Sequence, residues 1–330
     1  MGNNARDTQT QPMVRVTRRL PETVEAALSS RYAAMLNLSD AALSRQSLER
    51  AMVEADALVP TITDRIDAEL LAIPGRRVRI LANYGAGVDH IDLAAARAAG
   101  VFVTNTPGVL TEATAELAIL LILAASRRAM EGDRQLRAGQ WPGWHPTHMV
   151  GQGLSGRVLG LVGFGRIAQE TARKARALGM RIVYYNRSPA AAEVEQALEA
   201  VRLPTLSALA EAADVVSLHV PGGTETHRMI DGAFFAAMRP GGILINTARG
   251  SVVDEGALAE ALNSGKLFAA GLDVYADEPA VHPALLDHPH TVLLPHLGSA
   301  TIEARTAMGM QALANLDAFF GGRELPDRVA

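Results

Sequence analysis

The chain has 330 residues, of which 48% are hydrophobic and 20% charged, with a formal net charge of −4; this balance excludes disordered, collagen-like and coiled-coil classes and predicts roughly two domains at about 150 residues each. A pI near 6.2 removes the basic field that draws proteins onto nucleic acid or anionic membrane. With zero cysteines, disulfides, thiolate nucleophiles, thiolate zinc sites and iron–sulfur clusters are excluded, so chemistry falls to His, carboxylates, Arg or a cofactor.

The first twelve residues, Met1 to Pro12, read as a polar tail without the apolar core of a signal peptide. Short β-branched runs at 14–16, 57–62, 77–81 and 101–104 alternate with Ala-rich amphipathic stretches at 21–27, 41–54 and 93–99, a βαβ rhythm that predicts a parallel sheet. Residues 111–130 read as one long helix with an apolar centre, buried between two packed units and joining them. Its longest apolar stretch, Leu117 to Ala125, is too short to span a bilayer, and the cytoplasm is the expected location.

The second half resumes the alternation. Strands are expected at 157–162, 181–185, 214–220, 242–246, 269–274 and 291–294, with helices at 167–178, 231–238, 254–263 and 302–320. Six or so parallel strands predict a doubly wound sheet. The last helix returns to the first domain, so the expected fold is α/β with two Rossmann-like or flavodoxin-like doubly wound domains. Residues 1–104 plus 299–330 form a discontinuous substrate-binding domain, residues 105–298 form the dinucleotide-binding domain, and the active site lies in the cleft between them.

Gly163-Phe-Gly165-Arg-Ile-Ala168 follows one predicted strand and opens a helix, the context a dinucleotide fingerprint requires. Gly163 makes the tight turn, Gly165 lets backbone approach a pyrophosphate, Ala168 stays small where helix meets strand, and the anion sits on the helix N-terminus beside Arg166. The next strand ends in Asn186, Arg187 and Ser188, where an NAD-selective protein would place an acid. A guanidinium suits a 2′-phosphate, so NADP(H) is expected to be preferred, with NAD(H) also accepted. The alternative reading of Arg187 is a solvated surface charge on a protein that takes both cofactors.

Three further segments begin where predicted strands end: Asn246-Thr-Ala-Arg249-Gly250, Asp273-Val-Tyr-Ala-Asp-Glu278-Pro279 and Pro295-His296-Leu-Gly-Ser299. In an open parallel sheet such ends converge on the ligand crevice. Arg, Glu and His together make a proton-and-anion site, in which hydride transfer to a carbonyl would find a proton for the oxygen and a cation for the developing charge. His296 would be the general acid, Glu278 would orient its ring and favour the charged form, and Arg249 would clamp the substrate carboxylate and lie near the keto oxygen.

Together with Asn83-Tyr-Gly-Ala-Gly-Val-Asp-His-Ile-Asp92, Thr111-Glu-Ala-Thr-Ala-Glu116 and His219-Val-Pro221, these motifs resemble the D-isomer-specific 2-hydroxyacid dehydrogenase family from about Asn83 to about Thr301. Tyr185-Asn-Arg-Ser188 and Gly139-Gln-Trp141-Pro-Gly-Trp144 look most like its glyoxylate/hydroxypyruvate reductase branch. The resemblance implies NADP(H)-dependent reduction of glyoxylate and hydroxypyruvate, to the D-isomer where the product is chiral. It assigns cofactor contacts to Thr114, Phe164, Ile167, His219, Pro221, Thr226, Thr247, Ala248, Asp273, His296 and Gly298, in addition to Gly163, Gly165, Arg166, Asn186, Arg187 and Ser188. It assigns substrate contacts to Tyr84, Gly85, Ala86, Gly87, Arg249 and His296, with the loop's backbone N–H groups on the carboxylate.

It also implies a homodimer, in which Trp141 either packs at the subunit contact or reaches the neighbouring subunit's active site. No metal is expected; the pair His288 and His290 lacks a third ligand at supporting spacing. A nucleotide-sensing corepressor of the same fold is the competing class, opposed by the complete Arg249, Glu278 and His296 set. An NAD-dependent dehydrogenase of the same family is the other alternative.

Overall fold

The structure, a computed structural model, describes residues 11–330; the expected tail lies almost entirely outside them. The chain divides into two compact units, one running to Leu110 and taking in Thr301–Ala330, the other Thr111–Ala300. Asn105 and Thr106, assigned by the sequence to the second domain, hydrogen-bond within the first unit: Asn105 N–H donates to Asp327 O at 3.2 Å and Thr106 N–H to Gly85 O at 3.0 Å.

The first unit holds β1 (Met13–Val16), β2 (Ala33–Met35), β3 (Ala57–Val59), β4 (Ile80–Ala82) and β5 (Phe102–Thr104) in the spatial order β2-β1-β3-β4-β5. All its ladders are parallel, and the order is that of a flavodoxin-like sheet. Val14, Leu58, Ile80, Leu81 and Val103 are fully buried, which is why these β-branched and aliphatic runs form its centre. β2 was not expected: three residues, Ala-Ala-Met, carry no strand signature, and pairing with β1 decides the conformation. Asp67 and Asp92 accept backbone N–H groups three residues on and start their helices.

The second unit holds β6 (Val158–Val162), β7 (Arg181–Tyr185), β8 (Ala200–Arg202), β9 (Val215–Leu218), β10 (Gly242–Asn246), β11 (Leu267–Leu272) and β12 (Thr291–Leu293), in the order β12-β11-β10-β9-β6-β7-β8. These strands also pair in parallel. The chain reverses its winding between β6 and β9, the topological switch point at which doubly wound sheets bind ligands. β6, β9 and β10 are buried at every residue, as strands covered on both faces must be. The seventh strand, β8, escaped the sequence because its two exposed residues give it no apolar run.

The long helix expected over 111–130 is two helices, Thr111–Ser126 and Ala129–Arg137. Arg128 takes a left-handed φ of +53°, and the carbonyl of Ser126 accepts the Gln152 N–H at 2.8 Å, ending the first helix. Leu120 and Leu123 are exposed on that helix, although Ala115, Ala118, Leu121 and Ile122 are buried. Among the described residues no helix is long and apolar enough to cross a membrane.

Candidate active site

β6 runs into Gly163, whose φ of +86° opposes any side chain. A Cβ there would stand 2.5 Å from the His219 carbonyl oxygen, so glycine lets the loops after β6 and β9 close on each other. A Cβ on Gly165 would meet nothing within 4 Å, leaving its backbone approachable. Gly165 opens the helix Arg166–Ala177 without a side-chain cap, whereas Thr205, Asp231 and Asp254 cap helices of the same unit. The helix therefore presents its first N–H groups and positive dipole end uncapped, a surface that fits a pyrophosphate. Ala168 is fully buried, Ile167 is half-buried and Arg166 is exposed. The Phe164 ring is turned inward and stacks on Tyr184 at a centroid distance of 3.9 Å, so only its backbone is free to meet a ligand.

At the end of β7, Asn186 Nδ2 donates to Ser188 O at 3.0 Å, shaping the loop that carries Arg187. Arg187 is exposed and lies 2.7 Å from Glu225, an acid that sequence reasoning passed over. Arg202 of β8 donates to the carbonyls of Asn186 and Arg187, both at 3.0 Å, and so fixes the loop backbone from the neighbouring strand. Across β6, His219 Nε2 sits 2.9 Å from Ser217 Oγ, and desolvation pushes the imidazole down to about 4, keeping it neutral. Thr226 closes its own loop by donating to Pro221 O at 2.7 Å.

The ends of β10, β11 and β12 form one hydrogen-bonded group. Asn246 folds the first of these loops by accepting from Ala248 N–H at 3.0 Å and donating to Arg249 O at 2.9 Å. Arg249 Nη1 donates to Ala248 O at 2.7 Å. Gly250 then passes so close to the next loop that a Cβ would lie 1.8 Å from the Tyr275 carbonyl carbon; only glycine brings the Arg249 and Glu278 loops together. Thr247 Oγ1 is buried with no partner among the described residues, an orphaned donor that suits a polar ligand.

Asp273, 1% exposed, organises the loop that carries His296. Its carbonyl accepts the His296 N–H at 2.9 Å, and its two carboxylate oxygens accept Leu297 N–H at 2.7 Å and Gly298 N–H at 2.8 Å. Burial pushes this carboxyl up to about 6 against the pull of those donors and of His296. Thr114 Oγ1 donates to Gly298 O at 3.0 Å, tying the same loop to the start of the helix Thr111–Ser126. His296 is thereby held at a left-handed φ of +55°, a conformation that persists in a non-glycine residue only where its surroundings impose it.

His296 Nδ1 donates to Glu278 Oε2 at 2.8 Å, and Tyr275 N–H donates to Glu278 Oε1 at 3.0 Å. Burial works to raise the Glu278 carboxyl, but the His296 hydrogen bond and charge, the Tyr275 N–H and the Arg249 charge outweigh it and hold the group below its usual range. The pair fixes the tautomer: Nδ1 is committed to the carboxylate, and Nε2 is left to act. Glu255, whose carboxylate accepts the Ala276 N–H at 2.8 Å, braces this loop and carried no signal in the sequence beyond a helix first turn.

Two further predicted sets belong to other segments of the chain. Tyr84, Gly85, Ala86 and Gly87 form the turn after β4 in the first unit, where Tyr84 Oη donates to Arg305 O at 2.7 Å. Trp141 is half exposed and lines an open apolar pocket with Leu136, His148 and Met149. Among the described residues no group of three or more His, Cys, Asp or Glu could hold a metal ion.

Comparison with known proteins shows the family. The model of the D-isomer specific 2-hydroxyacid dehydrogenase NAD binding domain matches residues 119–298. The chain is 44% identical to a glyoxylate reductase of Thermococcus litoralis, with 96% of each chain covered. Among solved structures it is similar to a Thermus thermophilus protein at 44% identity and a TM-score of 0.88, covering 96% of this chain and 100% of that one. It is also similar to the NADPH-dependent glyoxylate/hydroxypyruvate reductase of Sinorhizobium meliloti, solved with NADP and malonate, at 34% identity and a TM-score of 0.84, with 97% of each chain covered. With the family model matching residues 119–298 and a relative 44% identical over 96% of both chains, the chain belongs to the D-isomer specific 2-hydroxyacid dehydrogenase family.

Proposed function

We propose that this protein reduces small 2-keto acids, glyoxylate and hydroxypyruvate, with NADP(H) preferred over NAD(H), and yields the D-isomer where the product is chiral. The observation that carries this reading is the 2.8 Å bond between His296 Nδ1 and Glu278, which leaves Nε2 to donate a proton. A bound reduced nicotinamide supplies the hydride. His296 Nε2 protonates the keto oxygen as charge grows there, Glu278 holds the ring and balances its charge, and Arg249 binds the substrate carboxylate and stabilises the oxyanion. The discontinuous unit acts as the substrate-binding domain, with the turn at Tyr84, Gly85, Ala86 and Gly87 taking the carboxylate.

Gly163, Gly165, Arg166 and the backbone of Phe164 and Ile167 would hold the pyrophosphate. Asn186, Arg187 and Ser188 would hold the adenosine end with its 2′-phosphate. Thr114, His219, Pro221, Thr226, Thr247, Ala248, Asp273 and Gly298 would line the rest of the cofactor's path. Support for the NADP preference is the guanidinium of Arg187 where an acid would repel a phosphate dianion, and the NADP complex of the Sinorhizobium meliloti relative. The reading also includes a homodimer: Leu120, Leu123, Met130, Leu136, Trp141 and Trp144 are exposed apolar side chains on consecutive segments, of the kind a second copy would cover.

The test is NADPH and NADH oxidation over a panel of 2-keto acids, alongside the mass of the particle by light scattering. No reduction of glyoxylate or hydroxypyruvate with either cofactor would refute the activity. Equal kcat/KM for the two cofactors would refute the preference, and a monomer would refute the dimer.

A further inference from the structure

The turn after β4 is held in an unusual way. Asn83 is fully buried, and its Nδ2 uses both hydrogens inside the turn, donating to Gly85 O at 3.0 Å and to Gly87 O at 2.9 Å. Asn105 Nδ2 donates to the carbonyl between them, Ala86 O, at 2.7 Å. The Thr106 N–H adds a second bond to Gly85 O at 3.0 Å. Three consecutive carbonyls are therefore pinned by two side-chain amides from the ends of β4 and β5.

The amide orientation of Asn83 is forced. Two carbonyl neighbours admit only an NH2 group, so its Oδ1 faces the other way and meets His90 Nε2 at 3.0 Å; for that contact to be a hydrogen bond, His90 carries its proton on Nε2. His90 thus extends the clamp by one residue.

A trans peptide unit is planar, with its C=O and N–H pointing in opposite directions. Pinning the carbonyls of Gly85, Ala86 and Gly87 to one side turns the N–H groups of Ala86, Gly87 and Val88 to the other. None of these three N–H groups has a hydrogen-bond partner among the described residues, and all three residues are half-buried rather than exposed. A row of successive unpaired N–H groups is an anion-binding concavity. The side chains contribute nothing to it: Ala86 and Val88 are apolar and Gly87 has none.

We infer that Asn83 and Asn105 are positioning residues for the substrate carboxylate, because they hold the turn with its carbonyls inward and its N–H groups presented as a preformed anion receptor. The inference rests on the reading of this protein as a 2-keto acid reductase and adds two residues to it. Without the clamp the three peptides rotate independently, and the anion must then order them at the expense of its own binding. The ligand class is a small carboxylate, and its reacting carbonyl plays no part in this recognition.

The test compares Asn105→Ala and Asn105→Asp with the wild-type enzyme. Readouts are KM and kcat for glyoxylate with saturating NADPH, the inhibition constant of oxalate, NADPH affinity by fluorescence, and the melting temperature. Asn105→Ala is expected to raise KM and the oxalate constant together by about tenfold, the scale of one lost buried hydrogen bond, with kcat within about twofold and NADPH affinity unchanged. Asn105→Asp, which matches the shape but replaces the donor by a negative charge, is expected to raise both by more than the alanine variant does.

Unmoved KM and inhibition constants in both variants overturn the inference, as does a loss of kcat at constant KM, the mark of a purely structural role. Asn83→Asp is a supplementary variant; if it does not fold, the half-buried Asn105 still decides the outcome. A wild-type enzyme that fails to reduce glyoxylate refutes the activity itself, whereas wild-type turnover with unmoved constants in the variants refutes only the role of the two asparagines.

Discussion

His296 Nδ1 donates to Glu278 Oε2 at 2.8 Å from a backbone held at a φ of +55°. The orientation of this imidazole is thus set twice, by the carboxylate at its ring and by the loop at its Cα. Replacing His296 by Ala is expected to lower kcat by about 10²–10⁴, the usual worth of a positioned acid. NADPH affinity measured by fluorescence should stay within about twofold of wild type; an unchanged kcat removes His296 as the acid.

Asp273 supplies three of the bonds that hold the His296 loop. We expect Asp273→Ala to lower kcat by about 10², as displacements on the order of 1 Å do, with the protein still folded by circular dichroism. Full activity in a folded Asp273→Ala protein would show that the loop keeps its shape without the carboxylate.

Two buried titrations should shape stability in acid with opposite signs. His219 falls from 6.5 to about 4 in the folded protein, so between these values the unfolded chain binds the extra proton. Its contribution is complete above pH 6.5 and is lost as pH falls toward 4. Asp273 rises from 3.8 to about 6, so the folded protein binds the extra proton there, and that contribution is present below pH 3.8 and lost as pH rises through 6. Each is of order 1–3 kcal/mol across its window. Urea unfolding from about pH 4 to 7 should therefore show a weak slope in the wild type, and His219→Gln should lose stability with rising pH more steeply than wild type does.

Arg187 and Glu225 form an exposed pair at 2.7 Å, so a 2′-phosphate would compete with Glu225 for the guanidinium. Calorimetric titration should show Arg187→Ala weakening NADPH about ten- to a hundredfold while leaving NADH alone, the range of a charge-assisted hydrogen bond. Glu225→Gln should tighten NADPH by no more than about fivefold, because exposed ion pairs are weak. Equal losses for both cofactors in Arg187→Ala would sink the phosphate argument.

Gly250 admits no side chain, since a Cβ would overlap the Tyr275 backbone at 1.8 Å. Gly250→Ala must push the Arg249 loop away from the Glu278 loop. The expected result is loss of most activity and a melting temperature lowered by several degrees, and a variant with wild-type kcat and stability would show that the loops can part without cost.

The two sheets and the glycine turn after β6 were legible because each leaves a local mark, β-branched runs for buried strands and a glycine pattern between strand and helix, and Arg249, Glu278 and His296 could be placed at strand ends by the same marks. β2 and β8 were not, because Ala-Ala-Met has no β-branched residue and β8 exposes two of its three residues, so neither shows an apolar run and pairing with β1 and β7 makes them strands. The break after Ser126 was hidden for a related reason, since the carbonyl there is taken by Gln152, a residue 26 positions away in the chain.

By itself, the amino-acid order determined the parallel α/β class and the chemical types at the strand ends, because these follow from periodicity and spacing within short windows, and its motifs carried the resemblance to the family. Tertiary structure alone decided which groups restrain them. That Asn105 joins Asn83 in pinning one turn, that Glu225 faces Arg187, that Glu255 braces the Glu278 loop and that Asp273 carries three N–H groups of the His296 segment all depend on residues 19 or more positions apart. Such pairings arise only when parallel strands align their carboxyl ends, and no local pattern encodes which loops will then meet.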